Sequence, residues 1–176
     1  GVGATLLLEA LNSSIRSVND IETRLHQNLL GIVPLVGSNL ESKKHQKEVA
    51  ENVDHYHFFN GVDHAFSEAV RTLRTSLQLL SLDKKTQVVS ITSTIPSEGK
   101  TLVTANLAFA VGQLQKTIIV DTDLRKPKVA KNFKLKGPGL ADFIAGNNTL
   151  EQCITTDKQS NIDVLPAGSP PPNPQE

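Results

Sequence analysis

The chain has 176 residues and no net charge, because 18 lysines and arginines balance 18 aspartates and glutamates. This length suits one compact domain with a sizeable core. The charge balance gives no support to a nucleic-acid partner, which requires a clustered basic excess. The single cysteine, Cys153, excludes an intramolecular disulfide and favours a reducing compartment. No apolar run is long enough to span a bilayer.

The first sixty residues differ in character from the rest of the chain. Apolar residues recur at roughly helical spacing over residues 5–30, which predicts a helix, and "LLGIVPLV" at 29–36 is typical of a short strand. Residues 37–60 are polar and mixed in charge, so we expect a linker there. The chain begins with Gly1 instead of methionine, which favours a start inside a longer protein.

From residue 62 onward the pattern predicts alternating helices and strands. A helix is predicted over 62–82, and its apolar face consists of Phe66, Val70, Leu73, Leu77 and Leu80. The segments that follow are a strand "TQVVSITST", a helix "GKTLVTANLAFAVGQL", a strand "KTIIVDTD", short helical pieces "GLADFIAGNN" and "TLEQCIT", and a strand "NIDVLPAG". Short connections between a strand, a helix and a strand imply an α/β fold with a parallel sheet flanked by helices. The unalternating branched run in "KTIIVDTD" favours a strand covered on both faces.

The stretch "TSTIPSEGKT" at 92–101 has the character of a phosphate-binding loop. It lies between a predicted strand and a predicted helix, where free backbone amides and the helix dipole favour an anion. Lys100 is expected to reach the β- and γ-phosphates, and the Thr101 hydroxyl to ligate magnesium. Thr94 stands where the usual pattern has a glycine. The alternative is an ordinary strand–helix connection.

A second acidic motif follows in "IIVDTDLR" at 118–125. Its branched residues place Asp121 at the carboxyl end of a strand, the edge at which ligands bind in open parallel sheets, and Asp123 just beyond it. Two carboxylates beside a bound triphosphate can hold magnesium through water and orient an attacking hydroxyl. The alternative is a solvated turn in which both carboxylates lie near Arg125.

Together, "SITSTIPSEGKTLVTANLA" and "TIIVDTDLRKP" resemble the two nucleotide-binding motifs of the bacterial tyrosine kinases. These P-loop kinases accompany the membrane proteins that control capsule and exopolysaccharide export. In that family the first loop lacks the early glycine, so Thr94 resembles the family's own variation. Most of the chain is similar to the family, and residues 62–176 carry the specific part.

The resemblance implies ATP or ADP and Mg²⁺ as cofactors and transfer of the γ-phosphoryl group to tyrosine. Thr101 would bind magnesium directly and Asp121 through water, Asp123 would steer the tyrosine proton, and Arg125 would support the site or bind a phosphate. The resemblance gives catalytic roles to Lys100, Asp121, Asp123 and Arg125. It places cofactor-binding roles on Pro96, Ser97, Glu98, Gly99, Lys100, Thr101 and Leu102.

The helix "SEAVRTLRTSL" resembles the family's Glu-x-x-Arg-x-x-Arg helix at Glu68, Arg71 and Arg74. In the family this helix lies between subunits of a ring, which implies a homo-oligomer as partner. Helical geometry turns these side chains away from the apolar face. The alternative is a solvated face with weak ion pairs. Other implied partners are the membrane co-polymerase part and tyrosine-bearing protein substrates.

By this resemblance, residues 1–60 are a juxtamembrane-like helical segment and linker, and residues 61–176 are the N-terminal two-thirds of the kinase domain. The family's later acidic motif and terminal tyrosine cluster are not matched, so we expect a fragment whose sheet is incomplete at the C-terminus and whose own activity is uncertain. The parent protein is expected at the cytoplasmic face of the bacterial inner membrane, and this piece of it is expected to be soluble.

Two alternatives to a kinase stay open at the level of sequence. A partition- or Min-type ATPase would carry a second lysine early in the loop, at the position of Ile95. A non-catalytic nucleotide-binding oligomerisation module would bind magnesium-nucleotide without transferring phosphate.

Overall fold

The computed structural model describes residues 29–36, 58, 63–82, 87–95 and 98–169. Internal contacts divide the chain into one unit from Gly1 to Ile32 and a second from Val33 to Glu176. Most of the predicted helix over 5–30 and of the predicted linker over 37–60 lies outside the described residues. The strand predicted at 29–36 is wrong, because these residues carry no strand, and Pro34 lacks the N–H that a paired strand needs. The elements below belong to the second unit.

Helix α1 runs from His64 to Leu80, close to its predicted bounds. The Asp63 carboxylate caps its N-terminus by accepting a hydrogen bond from the Phe66 amide at 3.0 Å. Phe66 and Val70 are fully buried, whereas Leu80 at the other end of the predicted apolar face is 54% exposed. The N-terminal half of the helix therefore makes the packing, and its last turn extends beyond the core.

Helix α2 runs from Lys100 to Gly112 and is the centre of the core. Six consecutive residues, 105–110, are buried, as expected for a helix that is apolar on nearly every side. Helix α1 packs against it, and it also contacts the first strand of the sheet. Asn106 is buried in its middle, where its carbonyl oxygen accepts from the Phe58 amide and its amide donates to the Leu102 carbonyl, both at 2.8 Å. The polar side chain is thus hydrogen-bonded within the core.

The sheet has three strands in the described residues, β1 (Ile118–Val120), β2 (Thr155–Thr156) and β3 (Asp163–Leu165), in the order β1-β3-β2. Strands β1 and β3 pair in parallel, as predicted, with Ile118 opposite Asp163. Strand β2 pairs antiparallel with β3, so the sheet is mixed and not wholly parallel. The helical piece predicted at 149–155 therefore ends earlier than expected, because Thr155 belongs to β2. The connection from β2 to β3 is too short for a crossover, so the two strands form a hairpin.

Apolar residues at the β1 side of the sheet are less covered than the sequence predicted. The segment 87–94 carries no strand, so the prediction of a strand "TQVVSITST" is wrong for its described residues. Val88 is 85% exposed. In β1 only Ile119 is buried, and Ile118 and Val120 are each 44% exposed. Branched residues favour an extended backbone, but a strand also needs a hydrogen-bonded neighbour, and no described strand pairs with this segment.

A short helix that the sequence analysis did not predict, α3 (Val129–Asn132), follows β1. Val129 and Phe133 are buried. The Phe133 ring meets the Phe109 ring of α2 edge to face, with 5.9 Å between centroids. These two apolar side chains anchor the segment after β1 against α2.

Two further short helices, α4 (Leu140–Ile144) and α5 (Leu150–Cys153), confirm the helical pieces predicted there. The start of α4 lies against the chain that leaves β3, since the Leu140 amide donates to the Pro166 carbonyl at 2.8 Å. A Cβ atom on Gly139 would lie 2.2 Å from that carbonyl oxygen, so this close approach requires glycine. Cys153 is buried, and burial together with the Asp142 carboxylate raises the pKa of its thiol.

The Asp142 carboxylate holds the turn at the start of α4 to the chain after β3. Its Oδ2 atom accepts hydrogen bonds from the Gly139 amide at 2.8 Å and from the Ser169 amide at 3.0 Å. These two bonds lower the pKa of Asp142 below its ordinary value of 3.8, and the bond from the Ser169 amide has the larger effect. The ionised carboxylate therefore stabilises the folded state.

Because the folded-state pKa of Asp142 is depressed, its stabilisation is present above pH 3.8 and is lost as the pH falls through the lower folded-state value. We expect Asp142→Ala to lower the free energy of unfolding by about 1–2 kcal/mol at pH 7. The difference from the unsubstituted chain should shrink below pH 3.8. Urea unfolding at several pH values measures this difference, and a gap that stays constant to pH 2.5 would contradict the assignment.

Candidate functional site

The turn into α2 has a backbone conformation that favours glycine. Gly99 lies in the left-handed region at φ 88° and ψ 12°. The Val103 amide donates to the Gly99 carbonyl at 2.9 Å, so the helix starts directly after it. No side chain caps this helix, which leaves the first-turn amides of Lys100, Thr101 and Leu102 available to an acceptor. A phosphate oxygen is the kind of acceptor that such a helix start binds.

An open cleft of about 380 Å³ lies beside the start of α2. Its lining comprises Lys100, Glu98, Val103 and the segment 91–94. Lys100, Glu98 and the loop residues 92–94 thus border one space, and a phosphate site there stays a prediction. Two predicted cofactor-binding residues, Pro96 and Ser97, lie outside the described residues.

The Glu98 carboxylate is bound to amides of its own loop. Its Oε2 atom accepts from the Thr94 amide at 3.0 Å and from the Ile95 amide at 3.3 Å. The Thr94 hydroxyl also lies 3.3 Å from both carboxylate oxygens. The beginning of the loop therefore already holds a negatively charged group. Thr94, at the position of the missing glycine, contributes both its amide and its hydroxyl to this arrangement.

Asp121 lies at the carboxyl end of β1, where the sequence placed it, and is only 6% exposed. Its amide extends the sheet by donating to the Leu165 carbonyl at 2.9 Å. Its two carboxylate oxygens accept hydrogen bonds from the Asp123 amide at 3.1 Å and the Val129 amide at 3.2 Å. Asp121 therefore holds the loop between β1 and α3 in place, a function that the sequence did not indicate.

Asp123 and Arg125 are both exposed on that loop. The Asp123 carboxylate accepts from the Lys126 amide at 3.0 Å, and no ion pair joins it to Arg125 within the described part of the chain. Neither Asp121 nor Asp123 lines the cleft beside Lys100. The two halves of the predicted site are carried by elements in contact, α2 and β1, and among the described residues only the half with Lys100 borders this cleft. The segment 87–93, which leads to the loop, has no strand pairing to fix it at the edge of the sheet.

The three side chains of the predicted oligomer interface differ in their surroundings. Glu68 and Arg71 form an exposed ion pair on α1, and the Arg71 guanidinium lies 5.5 Å from the centroid of the Phe58 ring. Arg74 instead donates from Nη1 to the Ala110 carbonyl of α2 at 3.1 Å, and its buried Nε atom has no hydrogen-bond partner in the described structure. Glu68 and Arg71 are thus accessible to a partner, whereas Arg74 connects two helices within the chain.

Sequence reasoning missed one residue that supports α2, and it missed the structural role of one predicted site residue. Asn106 holds the Phe58 backbone against the helix, and a lone asparagine within an apolar helical run was the available signal. Glu98 was expected to contact the cofactor, and its bonds to the loop amides were not foreseen.

Among the described helices, none has the length and apolar character that crossing a bilayer requires. The described residues also contain no group of three or more histidine, cysteine or acidic side chains suited to a metal ion.

The two hydrogen bonds of Asp121 predict a structural cost that is independent of any ligand. In Asp121→Asn the amide nitrogen would face one of the two backbone donors, so we expect the free energy of unfolding to fall by about 1–3 kcal/mol. The exposed Asp123→Asn is the matched control and should change it by less than about 0.5 kcal/mol. Urea unfolding without nucleotide compares the two variants. Equal losses of stability would contradict the role of Asp121 in holding the loop between β1 and α3.

Proteins of similar sequence bear the names of tyrosine kinases. The chain is 39% identical over 112 residues to tyrosine-protein kinase YwqD of Bacillus subtilis, which is 62% of this chain and 47% of that protein. It is 31% identical over 185 aligned residues to the putative tyrosine-protein kinase EpsB of Ralstonia solanacearum, covering 100% of this chain and 24% of that one. No family model matches the chain. The chain therefore spans less than half the length of these relatives.

Solved structures with a similar fold are kinase domains. The kinase domain of the Escherichia coli tyrosine kinase ETK superposes with a TM-score of 0.77 at 28% identity, covering 92% of this chain and 63% of that domain. The BceF tyrosine kinase domain gives a TM-score of 0.74 at 25% identity, covering 92% and 66%. The resemblance to the bacterial tyrosine kinases is therefore confirmed: the chain shares their sequence features and the P-loop fold of their kinase domain.

Proposed function

We propose that this chain is the nucleotide-binding part of an ATP-dependent protein-tyrosine kinase that transfers the γ-phosphoryl group of ATP to a tyrosine hydroxyl. The observation that carries the proposal is the start of α2, where Gly99 in the left-handed region precedes an uncapped helix opening with Lys100 and Thr101. The names of the similar proteins and solved domains support the same reaction. Phosphoryl transfer relies mainly on positioning and charge stabilisation, which such a loop provides.

Each side chain of the proposed site has a role that its chemistry permits. The first-turn amides and the Lys100 ammonium would bind the β- and γ-phosphates. Bound Mg²⁺ would neutralise charge on these phosphates, and the Thr101 hydroxyl and the Asp121 carboxylate are oxygen donors of the type that it prefers. Asp121 keeps free lone pairs beyond its two backbone bonds, so it can accept a water-mediated contact. Asp123, exposed beyond it, would receive or steer the tyrosine proton.

We further propose the setting of the whole protein, of which residues 1–60 would be a juxtamembrane segment with its linker and residues 61–176 the larger part of the kinase domain. One similar protein is described as a putative tyrosine-protein kinase in the cps region of Klebsiella pneumoniae, which supports a role in capsule or exopolysaccharide synthesis at the cytoplasmic face of the inner membrane. The exposed Glu68–Arg71 pair favours ring assembly through α1, with Arg74 positioning that helix against α2 from within.

Calorimetric titration of the chain with Mg-ADP tests the nucleotide site. We expect Lys100→Ala to weaken binding by at least about tenfold, because one charge-assisted contact to phosphate is removed. Lys158→Ala, an exposed lysine elsewhere, is the matched control and should bind like the unsubstituted chain. A folded chain that binds no Mg-ADP, or a loss of affinity equal in both variants, would overturn the proposal. Binding without tyrosine phosphorylation by the full-length protein would favour a nucleotide-dependent scaffold instead.

The position of Glu98 predicts that it opposes nucleotide binding. Its carboxylate holds the Thr94 and Ile95 amides, which a phosphate would otherwise be free to use. We therefore expect Glu98→Ala to raise the affinity for Mg-ADP by about fivefold, the effect of releasing roughly 1 kcal/mol of competing interaction. The affinity of Glu98→Gln for Mg-ADP should lie between those of the unsubstituted chain and Glu98→Ala, because the glutamine carbonyl still accepts hydrogen bonds but carries no charge. The control is Glu151→Ala, an exposed glutamate elsewhere, which should bind Mg-ADP like the unsubstituted chain. An unchanged or weaker affinity in Glu98→Ala would contradict competition between the Glu98 carboxylate and phosphate for these amides.

A further inference from the structure

Residues 125–136, "RKPKVAKNFKLK", form a strongly basic segment in a chain without net charge. They contain six of the 18 lysines and arginines, and the sequence has no acidic residue between Asp123 and Asp142. All six cationic side chains are exposed. Within the described part of the chain none of them forms an ion pair. The basic segment is Arg125, Lys126, Lys128, Lys131, Lys134 and Lys136.

This basic segment is a firmly held surface. The Asp121 carboxylate binds the Val129 amide at its beginning, and the Val129 and Phe133 side chains are buried beneath it. Leu135 packs partly buried against the same core. The apolar side chains are packed into the core while the lysines between them stay in solvent, so the fold holds a run of positive charges at the surface.

Lys134 occupies a backbone position that is unfavourable for lysine. Helix α3 ends in a motif where the Leu135 amide donates to the Ala130 carbonyl at 2.8 Å and the Lys134 amide to the Lys131 carbonyl at 3.2 Å. The residue after such a helix end takes a left-handed conformation and is usually glycine. Lys134 takes it at φ 53°. A strained lysine among unpaired like charges indicates that the charge has a use outside the fold.

We infer that the basic segment binds the acidic flanks of a tyrosine-bearing protein segment, the second substrate of the proposed kinase. This inference rests on the proposed function. The basic segment begins two residues after Asp123, which is itself exposed, so a peptide that brings its tyrosine to Asp123 has these positive charges within reach of its flanking residues. Opposite charge steers such a peptide to the site and fixes its register. The balanced charge of the whole chain disfavours a nucleic acid as the occupant.

Fluorescence anisotropy with labelled peptides tests this inference on the chain without nucleotide. One peptide carries a tyrosine between two runs of four glutamates, and its partner carries glutamines at the same positions. We expect the acidic peptide to bind at least about tenfold tighter than the neutral one at 50 mM salt, and the difference to shrink at higher salt. Equal binding of the two peptides overturns the inference.

Two matched double variants locate the binding surface. Lys131→Gln with Lys134→Gln should weaken binding of the acidic peptide about fivefold, whereas Lys116→Gln with Lys158→Gln, both exposed lysines elsewhere, should leave it within about twofold. Equal losses in the two double variants overturn the inference. Lys134→Gly adds a sharper test, because glycine suits the left-handed position. It should keep or increase resistance to urea while weakening peptide binding, a combination that a purely structural lysine would not give.

Two further results separate this inference from the proposed function and from a lipid partner. If Mg-ADP binds and the acidic peptide does not, the inference is overturned while the nucleotide site stands. If the peptide binds through the lysines and Mg-ADP does not bind, the surface is confirmed and the proposed function fails. Sedimentation with vesicles of 30% phosphatidylglycerol in phosphatidylcholine is the lipid arm. Lysine-dependent binding to vesicles without peptide binding assigns the surface to a membrane and overturns the inference.

Discussion

The burial of α2 between α1 and the sheet is the constraint on which the candidate site depends. Its central residues, 105–110, are all buried, and four of these six are alanine or asparagine, whose small side chains let the neighbouring elements approach closely. Arg74 ties α1 to the carbonyl of Ala110, and Asn106 ties the Phe58 backbone to the helix interior. With its body fixed in this way, the helix can present its uncapped N-terminus to solvent at a defined place. The first-turn amides are then positioned without any contribution from a ligand.

Two carboxylates near this helix, those of Asp121 and Glu98, order the loops that carry the proposed site. Asp121 uses both oxygens to hold the loop that carries Asp123, so the geometry of that loop depends on the residue proposed to contact magnesium. Glu98 accepts hydrogen bonds from the Thr94 and Ile95 amides of the loop before α2, and a nucleotide that used these donors would have to displace it. Loop order and ligand binding are thus connected through the same hydrogen-bond donors. A carboxylate on the loop amides also explains how a loop with Thr94 in place of glycine keeps its donors satisfied.

Strongly periodic or motif-bearing segments were predictable from sequence because local physics determines them. The amphipathic α1, the buried α2 and the branched strand β1 lie close to their predicted positions. The prediction of a strand at 86–94 is wrong for its described residues, because strand formation depends on a hydrogen-bonded neighbour, which the local pattern does not report. The antiparallel β2 was missed because Thr155 was included in the predicted helical piece "TLEQCIT", and because its pairing depends on a hairpin with β3 that the local pattern does not report. The internal bond of Arg74 was unpredictable because it joins residues far apart in the chain.

The central claim is that the start of α2 is a phosphate-binding site. Nuclear magnetic resonance spectra of the ¹⁵N-labelled chain, recorded during titration with Mg-ADP, test it most directly. The account predicts that the largest amide shifts occur at Gly99–Leu102 and at Thr94 and Ile95, whose donors Glu98 would release, while amides around β2 stay unchanged. Shifts concentrated elsewhere, or no shifts at millimolar nucleotide in a chain with a dispersed spectrum, would contradict it.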